Sequence, residues 1–539
     1  MKDFNNNKNA IGFINFDSTS GANNEVEVCI PYDKISSVSR GKYIIINSDN
    51  DLYLSRITKG PFFSPDAVSK ESAFAKASII QAGTISFLPD YHGICYAEIV
   101  GSLDIDITQV LGMHTRPRPK SSVFPIPSDK LAALLKIDGN MYLGQVTGYE
   151  DIRVKFDSDK KSVLPRNIGI FGTVGSGKTN SSQVLIEEAV STGWAVIVID
   201  IEGEYISMDL PSSEIIEKPA MKVLADKFKI EANGLNKFQV YVPSGCETKR
   251  EDALPFCIPF GNLSPYELSE IMGMNDTQTD RFIELWEEQK EKTGKPQGSK
   301  TKRNQWETID DEEFTYTGLK IPSMQITLNS KLKIEKGPSK SSWLVVKRLL
   351  NRLNRFGIFD TEDDSLNIDD LLKPGKVSIL DVSSSFNVQV NNIVIAYLLR
   401  KVFEKKVKYE NLPHTIIFIE EAHSFVSREN ASKMQALMDR LREVTRRGRK
   451  RWLGLCFISQ QPSHLPDEIY ELCNTKIIHQ TTGSKNINAL KISAGNVNEA
   501  IWDEVPTLGQ GRCIIISPQF QHPIMTNMRP SITQREFTD

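Results

Sequence analysis

Eight consecutive residues, Gly172-Thr173-Val174-Gly175-Ser176-Gly177-Lys178-Thr179, constrain the fold of this 539-residue chain more than any other stretch. They match G-x-x-x-x-G-K-[ST] in full. The apolar run Ile168-Gly169-Ile170-Phe171 precedes them and a helical pattern through Glu188 follows. A glycine-rich turn between strand and helix lets backbone N–H groups converge on phosphate oxygens, and the helix N-terminus adds partial positive charge. The segment therefore reads as a P-loop for a nucleoside triphosphate, with Gly172 to Thr179 and the adjacent Asn180 against the nucleotide. Lys178 would neutralise the β- and γ-phosphates, and Thr179 would offer its hydroxyl oxygen to Mg²⁺. ATP and Mg²⁺ are the implied cofactors.

Such a loop needs a sheet of parallel strands, buried on both faces, with the ligand at their carboxyl ends. Four further apolar runs fit that sheet: Trp194 to Asp200, Val377 to Asp381, Ile416 to Glu420 and Leu453 to Ser459. The third ends in Glu420-Glu421. We assign Glu420 to Mg²⁺, through water, and Glu421 to polarising the attacking water. The fourth ends in Ser459-Gln460-Gln461-Pro462, where the Gln460 amide can bond both γ-phosphate and water. Asp200 and Glu204, after the strand that follows the P-loop helix, either line the site or serve as turn residues. The run Thr445-Arg446-Arg447-Gly448-Arg449-Lys450-Arg451 suits a phosphoryl-transfer transition state, supplied in trans, nucleic-acid phosphate, or simply a solvated helix end where cations suit the dipole.

The rest of the chain divides by texture. Residues 1–160 read as a β-rich domain, a small barrel or sandwich, with a hairpin at Tyr43 to Leu54 and one helix carrying Leu131, Leu134 and Leu135 behind an expected N-cap at Ser128. Residues 161–259 form the first part of the α/β core. Residues 260–375 read as a helical insertion, with helices near Tyr266 to Met272, Thr279 to Lys292 and Ser341 to Arg355, and a polar loop at Thr293 to Lys300. Residues 376–539 complete the core. A net charge of -3 confines any nucleic-acid surface to one face or a pore. No run approaches the roughly 20 apolar residues of a membrane span, and no secretory leader is visible, so a cytoplasmic protein without a membrane partner is expected. The seven dispersed cysteines suggest reduced thiols rather than disulfides or zinc.

Together these motifs resemble the HerA/FtsK superfamily of ring ATPases, and HerA-type DNA translocases in particular. Asp200-x-x-Gly203-Glu204-Tyr205 is similar to that family's D-x-x-G-E-Y segment. Glu420-Glu421-Ala422-His423 stands where D-E-A-H is usual, and Arg446-Arg447-Gly448-Arg449-Lys450 with Ser459-Gln460-Gln461-Pro462 resembles its A-R-x-G-R-K … S-Q-R-P block. Glu420 and Gln461 depart from the usual aspartate and arginine. The resemblance implies a RecA-like P-loop ATPase core behind an N-terminal HAS-barrel. It also implies a homohexamer with nucleotide at subunit interfaces, double-stranded DNA in the channel, and a nuclease or nucleotide-consuming effector docked on the barrels, in DNA processing or phage defence. By position Arg446 looks like the trans arginine, with Arg449 next. Two other readings are a ring scaffold that regulates its effector, with DNA movement secondary, and a secretion-type ATPase of the same superfamily.

Overall fold

The computed structural model describes residues 9–16, 24–49, 51–66, 68–80, 90–104, 106–113, 115–292, 319–385, 387–425, 427–429, 431, 434–495 and 497–536. The expected polar loop at 293–300 lies outside these residues. The chain folds as two units, one of Met1–Asp157 with Ala494–Arg529 and one of Ser158–Ser493 with Pro530–Asp539.

The first unit opens with a barrel built from β1 (Gly12–Ile14), β2 (Glu25–Ile30), β3 (Tyr43–Ser48), β4 (Asp51–Pro65), β5 (Tyr91–Leu103) and β7 (Ser122–Pro125). Their order is β2-β1-β7-β3-β4-β5, and β2 pairs antiparallel with β5 to close it, leaving the two-residue β6 (Val110–Leu111) on the flank of β5. Closure removes the free edges that an open sheet would present. Alternation supplies the interior: Val26, Val28 and Ile30 of β2 point inward with Ile44, Ile46, Tyr53, Ala97 and Val123. Register shifts at Leu54/Ser55, Ile57/Lys59 and Lys59/Phe62 let the 15-residue β4 bend around that core. The hairpin read from sequence is present, with Ser48 opposite Asp51. The helix Ser128–Leu135 buries Leu131, Leu134 and Leu135 as expected, but its N-cap is Pro127, and no side chain caps it. Proline's fixed φ supplies the extended entry, so Ser128 falls inside the first turn.

Among the described residues the second unit carries eight parallel strands: β10 (Ile168–Phe171), β11 (Ala195–Asp200), β12 (Phe238–Pro243), β13 (Leu254–Phe256), β14 (Val377–Asp381), β15 (Thr415–Ile419), β16 (Leu453–Ser459) and β17 (Thr475–Ile478). Their order is β13-β12-β14-β11-β15-β16-β10-β17. Every residue of β10, β11, β14, β15 and β16 is buried, as helices on both faces require. This is a RecA-like core. The P-loop strand lies next to β16, the strand of Gln460, which in turn lies next to β15, the strand of Glu420. Between β13 and β14 run the helices Pro265–Ile271, Asp276–Lys292, Ile321–Ile334 and Gly337–Arg355. Trp343 is their buried anchor, with the Arg281 guanidinium 5.1 Å and the Lys331 ammonium 4.8 Å from its ring.

The segment Ala494–Arg529, grouped by sequence with the ATPase core, belongs instead to the first unit. Its strands β18 (Arg512–Ile516) and β19 (Ile524–Met528) pair with each other, and β19 pairs with β8 (Met141–Val146), which pairs with β9 (Arg153–Phe156). Backbone pairing across about 380 residues of sequence, which no local pattern announces, is the reason for the difference.

Candidate nucleotide site

The P-loop bridges β10 and the helix Lys178–Ser191. Gly177 holds φ +111°, a backbone setting that a side chain resists. A Cβ on Gly172 would stand 2.6 Å from Ser176 Oγ and 2.7 Å from His479 Cβ, so only glycine lets the chain turn there. The end of β17 braces the loop from behind, since the Gln480 carbonyl accepts from both the Thr173 amide (2.9 Å) and its hydroxyl (3.0 Å). Lys178 Nζ donates to the Thr173 carbonyl at 3.0 Å and is almost fully buried. Burial pushes its ammonium below the usual range, while the carboxylates of Glu421, Glu204 and Glu420 pull the other way. A concave loop with a buried ammonium inside it is shaped for a polyanion.

Acidic groups end the neighbouring strands. Asp200, at the end of β11, accepts from the amides of Gly203 (2.7 Å), Glu204 (3.2 Å) and Tyr205 (2.9 Å), which folds Asp200 to Tyr205 into a tight loop. Glu420 Oε2 accepts from the Ile201 and Glu202 amides at 3.1 and 3.2 Å. Glu420 and Asp200 also share a hydrogen bond. Burial pushes the Asp200 carboxyl up to about 7, and it holds Glu420 well above the carboxylate range together with the charges of Asp200 and Glu204. Glu204 reaches the P-loop: its Oε2 accepts the Thr179 hydroxyl at 2.7 Å. The sequence left Asp200 and Glu204 open. The structure uses Asp200 to shape the loop and puts Glu204 on Thr179.

Glu421 sits in the left-handed region, φ +42°, and is buried. A non-glycine residue held there stores strain of the kind found at reacting centres. Gln460 Nε2 donates to its Oε1 at 2.5 Å, and His423 Nδ1 lies 3.0 Å from its Oε2. The amide expected at the end of β16 is thus bonded to the acid expected after β15. His423, which the sequence places in the Glu420-Glu421-Ala422-His423 motif without a role of its own, is a partner of Glu421. Asn180 turns from the cradle, accepting from the Ser531 amide at 2.9 Å, and Val174 is exposed at the tip of the loop.

The arginine run closes the helix Gln435–Gly448 and continues into a 3₁₀ turn, Arg449–Arg451. Arg447 pairs with Glu443 and lies over the Phe403 ring. Arg446 is exposed, Arg449 half-buried, and the side chain of neither has a hydrogen-bond or ion-pair partner among the described residues. Neither joins the P-loop of its own chain. Among the described residues no three His, Cys, Asp or Glu side chains could hold a metal together. Arg535, which nothing in the sequence marked, reaches Glu204 Oε1 with its Nη2 at 2.5 Å.

Two family models match the chain: the central domain of helicase HerA over residues 141–402 and the HerA-like C-terminal domain over 334–516. The chain belongs to the HerA family. Among its relatives, the DNA double-strand break repair helicase HerA of Pyrococcus furiosus is 23% identical over 536 residues, covering 92% of this chain and 88% of the relative. The enzyme of the same name from Sulfolobus acidocaldarius is 24% identical over 491 residues, covering 89% and 86%. Among solved structures, the plasmid coupling protein TrwB with a non-hydrolysable ATP analogue aligns at a TM-score of 0.49 and 12% identity, over 77% of this chain and 95% of that one. This HerA-family chain is an ATPase. Among the described residues no helix is long and apolar enough to cross a membrane.

Proposed function

We propose that this chain is an ATP-driven translocase or helicase of double-stranded DNA that works as a homohexamer. The observation that carries the hydrolytic part is the Gln460–Glu421 hydrogen bond, which ties one strand end to the acid of the next beside the P-loop. Lys178 binds the β- and γ-phosphates, Glu421 orients and polarises the attacking water, and Gln460 holds Glu421 and senses the phosphate. Mg²⁺, bound through phosphate oxygens as it usually is, would neutralise the developing charge. Thr179 and, through water, Glu420 would hold it, with Glu204 accepting the Thr179 hydroxyl beside them. Arg446, exposed and without a partner among the described residues, is available to a neighbouring subunit's nucleotide, with Arg449 second.

Lys178→Ala and Glu421→Gln should each abolish ATP hydrolysis with the far-UV circular dichroism unchanged. Full turnover in either variant removes the site assignment. Duplex DNA should raise the ATPase rate at low salt, and its apparent affinity should fall steeply as salt rises. A rate indifferent to DNA at every salt concentration favours the scaffold reading, in which a nuclease or nucleotide-consuming effector is the main client in defence or repair. Support for such a client comes from the barrel, where Tyr32, Phe62, Phe63 and Tyr91 are exposed and Tyr91 meets Tyr32 and Phe63 edge-on. Clustered exposed aromatics mark interaction surfaces.

A further inference from the structure

The C-terminal segment of the second unit, Pro530–Glu536, runs along the outer face of the P-loop helix. Glu187 Oε1 accepts from the amides of Ile532 (2.9 Å) and Thr533 (3.0 Å) and from the Thr533 hydroxyl (2.8 Å). Gln183 Nε2 donates to the Gln534 carbonyl at 3.1 Å. Asn180, Gln183 and Glu187 are spaced as one stripe of a helix, so a single face of the P-loop helix is given over to this segment. Such docking uses buried polar groups, and the segment has a destination. Its Glu536 amide donates to the Glu204 carbonyl at 3.2 Å, while Arg535 Nη2 holds Glu204 Oε1. The other oxygen of that carboxylate accepts the Thr179 hydroxyl.

These contacts form a chain of three side chains: Arg535, Glu204, Thr179. The Thr179 proton is committed to Glu204, which leaves the hydroxyl lone pairs turned away from Glu204 and free to meet a cation. A carboxylate fixed at both oxygens cannot rotate, so the direction of those lone pairs is set by the arginine two bonds back. Arg535 also neutralises Glu204, which would otherwise stand as a free negative charge beside the phosphates. We propose that Arg535 is a positioning residue of the nucleotide site, acting in its own chain through Glu204 to orient Thr179 and so to set the Mg²⁺ dependence of nucleotide binding. It is distinct from Arg446 and Arg449, which are proposed for a neighbouring subunit's nucleotide. The proposal rests on the reading of the P-loop as the nucleotide site.

The test is a double-mutant cycle read by binding rather than by turnover. The affinity of the full-length protein for a fluorescent ADP analogue is measured with saturating Mg²⁺ and with EDTA, and the ratio of the two gives the Mg²⁺-dependent gain. Partners that orient a metal ligand are typically worth about 10- to 100-fold in metal affinity, so Arg535→Ala should cut the gain by about tenfold or more. Glu204→Ala should do the same. The double variant should be no worse than Glu204→Ala alone, since residues acting in series are not additive. Arg535→Lys, which keeps the charge but loses the fork, should recover part of the gain. Three results would overturn the proposal: an unchanged gain in Arg535→Ala, singles that add in the double variant, or equal losses with Mg²⁺ and with EDTA. The last would make Arg535 a phosphate contact or a support for the fold. If Arg535→Ala does not fold, Arg535→Lys decides by the same ratio, a gain equal to the parent's counting against the proposal. A parent protein that binds no nucleotide sinks the nucleotide-site reading, and this proposal with it, whereas one that binds with no Mg²⁺-dependent gain overturns this proposal alone.

Discussion

At the scale of single residues, the buried Asp200–Glu420 pair sets stability against function. Both carboxyls are held above their ordinary range, chiefly by burial, Asp200 at about 7. A carboxyl whose pKa rises on folding binds a proton in the folded state between about pH 4 and that raised value. Its stabilising contribution is therefore complete at the acid end and lost as pH climbs through 7. Glu420→Gln should remove Glu420's share of this dependence and leave the share that comes from Asp200's own burial. The new amide oxygen can still accept from Ile201 and Glu202, and its nitrogen can donate to an ionised Asp200. We expect a gain of about 1 kcal/mol at pH 8, or about 2–4 °C in melting temperature, with a flatter melting curve from pH 5 to 8. Turnover should fall in the same variant if Glu420 serves Mg²⁺ through water. A thermal melt and an ATPase assay on one preparation separate the two effects, and a variant melting lower at pH 8 contradicts the stability argument.

At the scale of elements, the helix Val388–Lys408 carries a second ionisable group in an apolar setting. Lys406 is buried, with its ammonium donating to the Pro413 carbonyl at 2.6 Å, and burial lowers its pKa to about 8. A lysine whose pKa falls on folding costs stability wherever it is protonated in both states, below about pH 8. That cost is relieved as pH rises toward the unfolded value near 10.4. Lys406→Met should therefore stabilise by about 2 kcal/mol at pH 7, after allowing for the lost hydrogen bond, and by much less at pH 10. Denaturant melts at the two pH values check the sign. Elements of this kind were largely legible in the sequence. The strands β11, β14, β15 and β16 are continuous apolar runs because both faces are covered, and a P-loop announces its own flanks. What stayed hidden depends on strand order. Asp200 and Glu204 looked interchangeable because only the order β14-β11-β15 reveals that one meets Glu420 and the other Thr179. Arg535 carried no signal at all, since a segment of seven residues paired by side chains to a helix some 350 positions earlier has no period to detect.

At the scale of the whole molecule, the proposed hexamer makes a prediction that single chains cannot satisfy. If Arg446 serves the neighbouring subunit, Arg446→Ala and Lys178→Ala proteins, each inactive alone, should regain ATPase when mixed and allowed to exchange subunits. Random mixing in a closed ring gives roughly a quarter of the sites an intact loop facing an intact arginine. No recovery after verified exchange would move the assignment to Arg449 or return the arginine to its own chain. The layout of the first unit has a consequence for synthesis. Arg56, on the barrel strand β4, is fully buried and pairs with Glu504 at 3.3 Å, and Ala494–Arg529 emerges from the ribosome only after residues 158–493 of the ATPase unit. At translation speeds of roughly 5–20 residues per second, the nascent barrel waits on the order of 20–70 s for the carboxylate that compensates its buried guanidinium. During that interval the ribosome-bound chain exposes an incomplete β structure, and its yield in the cell should depend on chaperones that shield it.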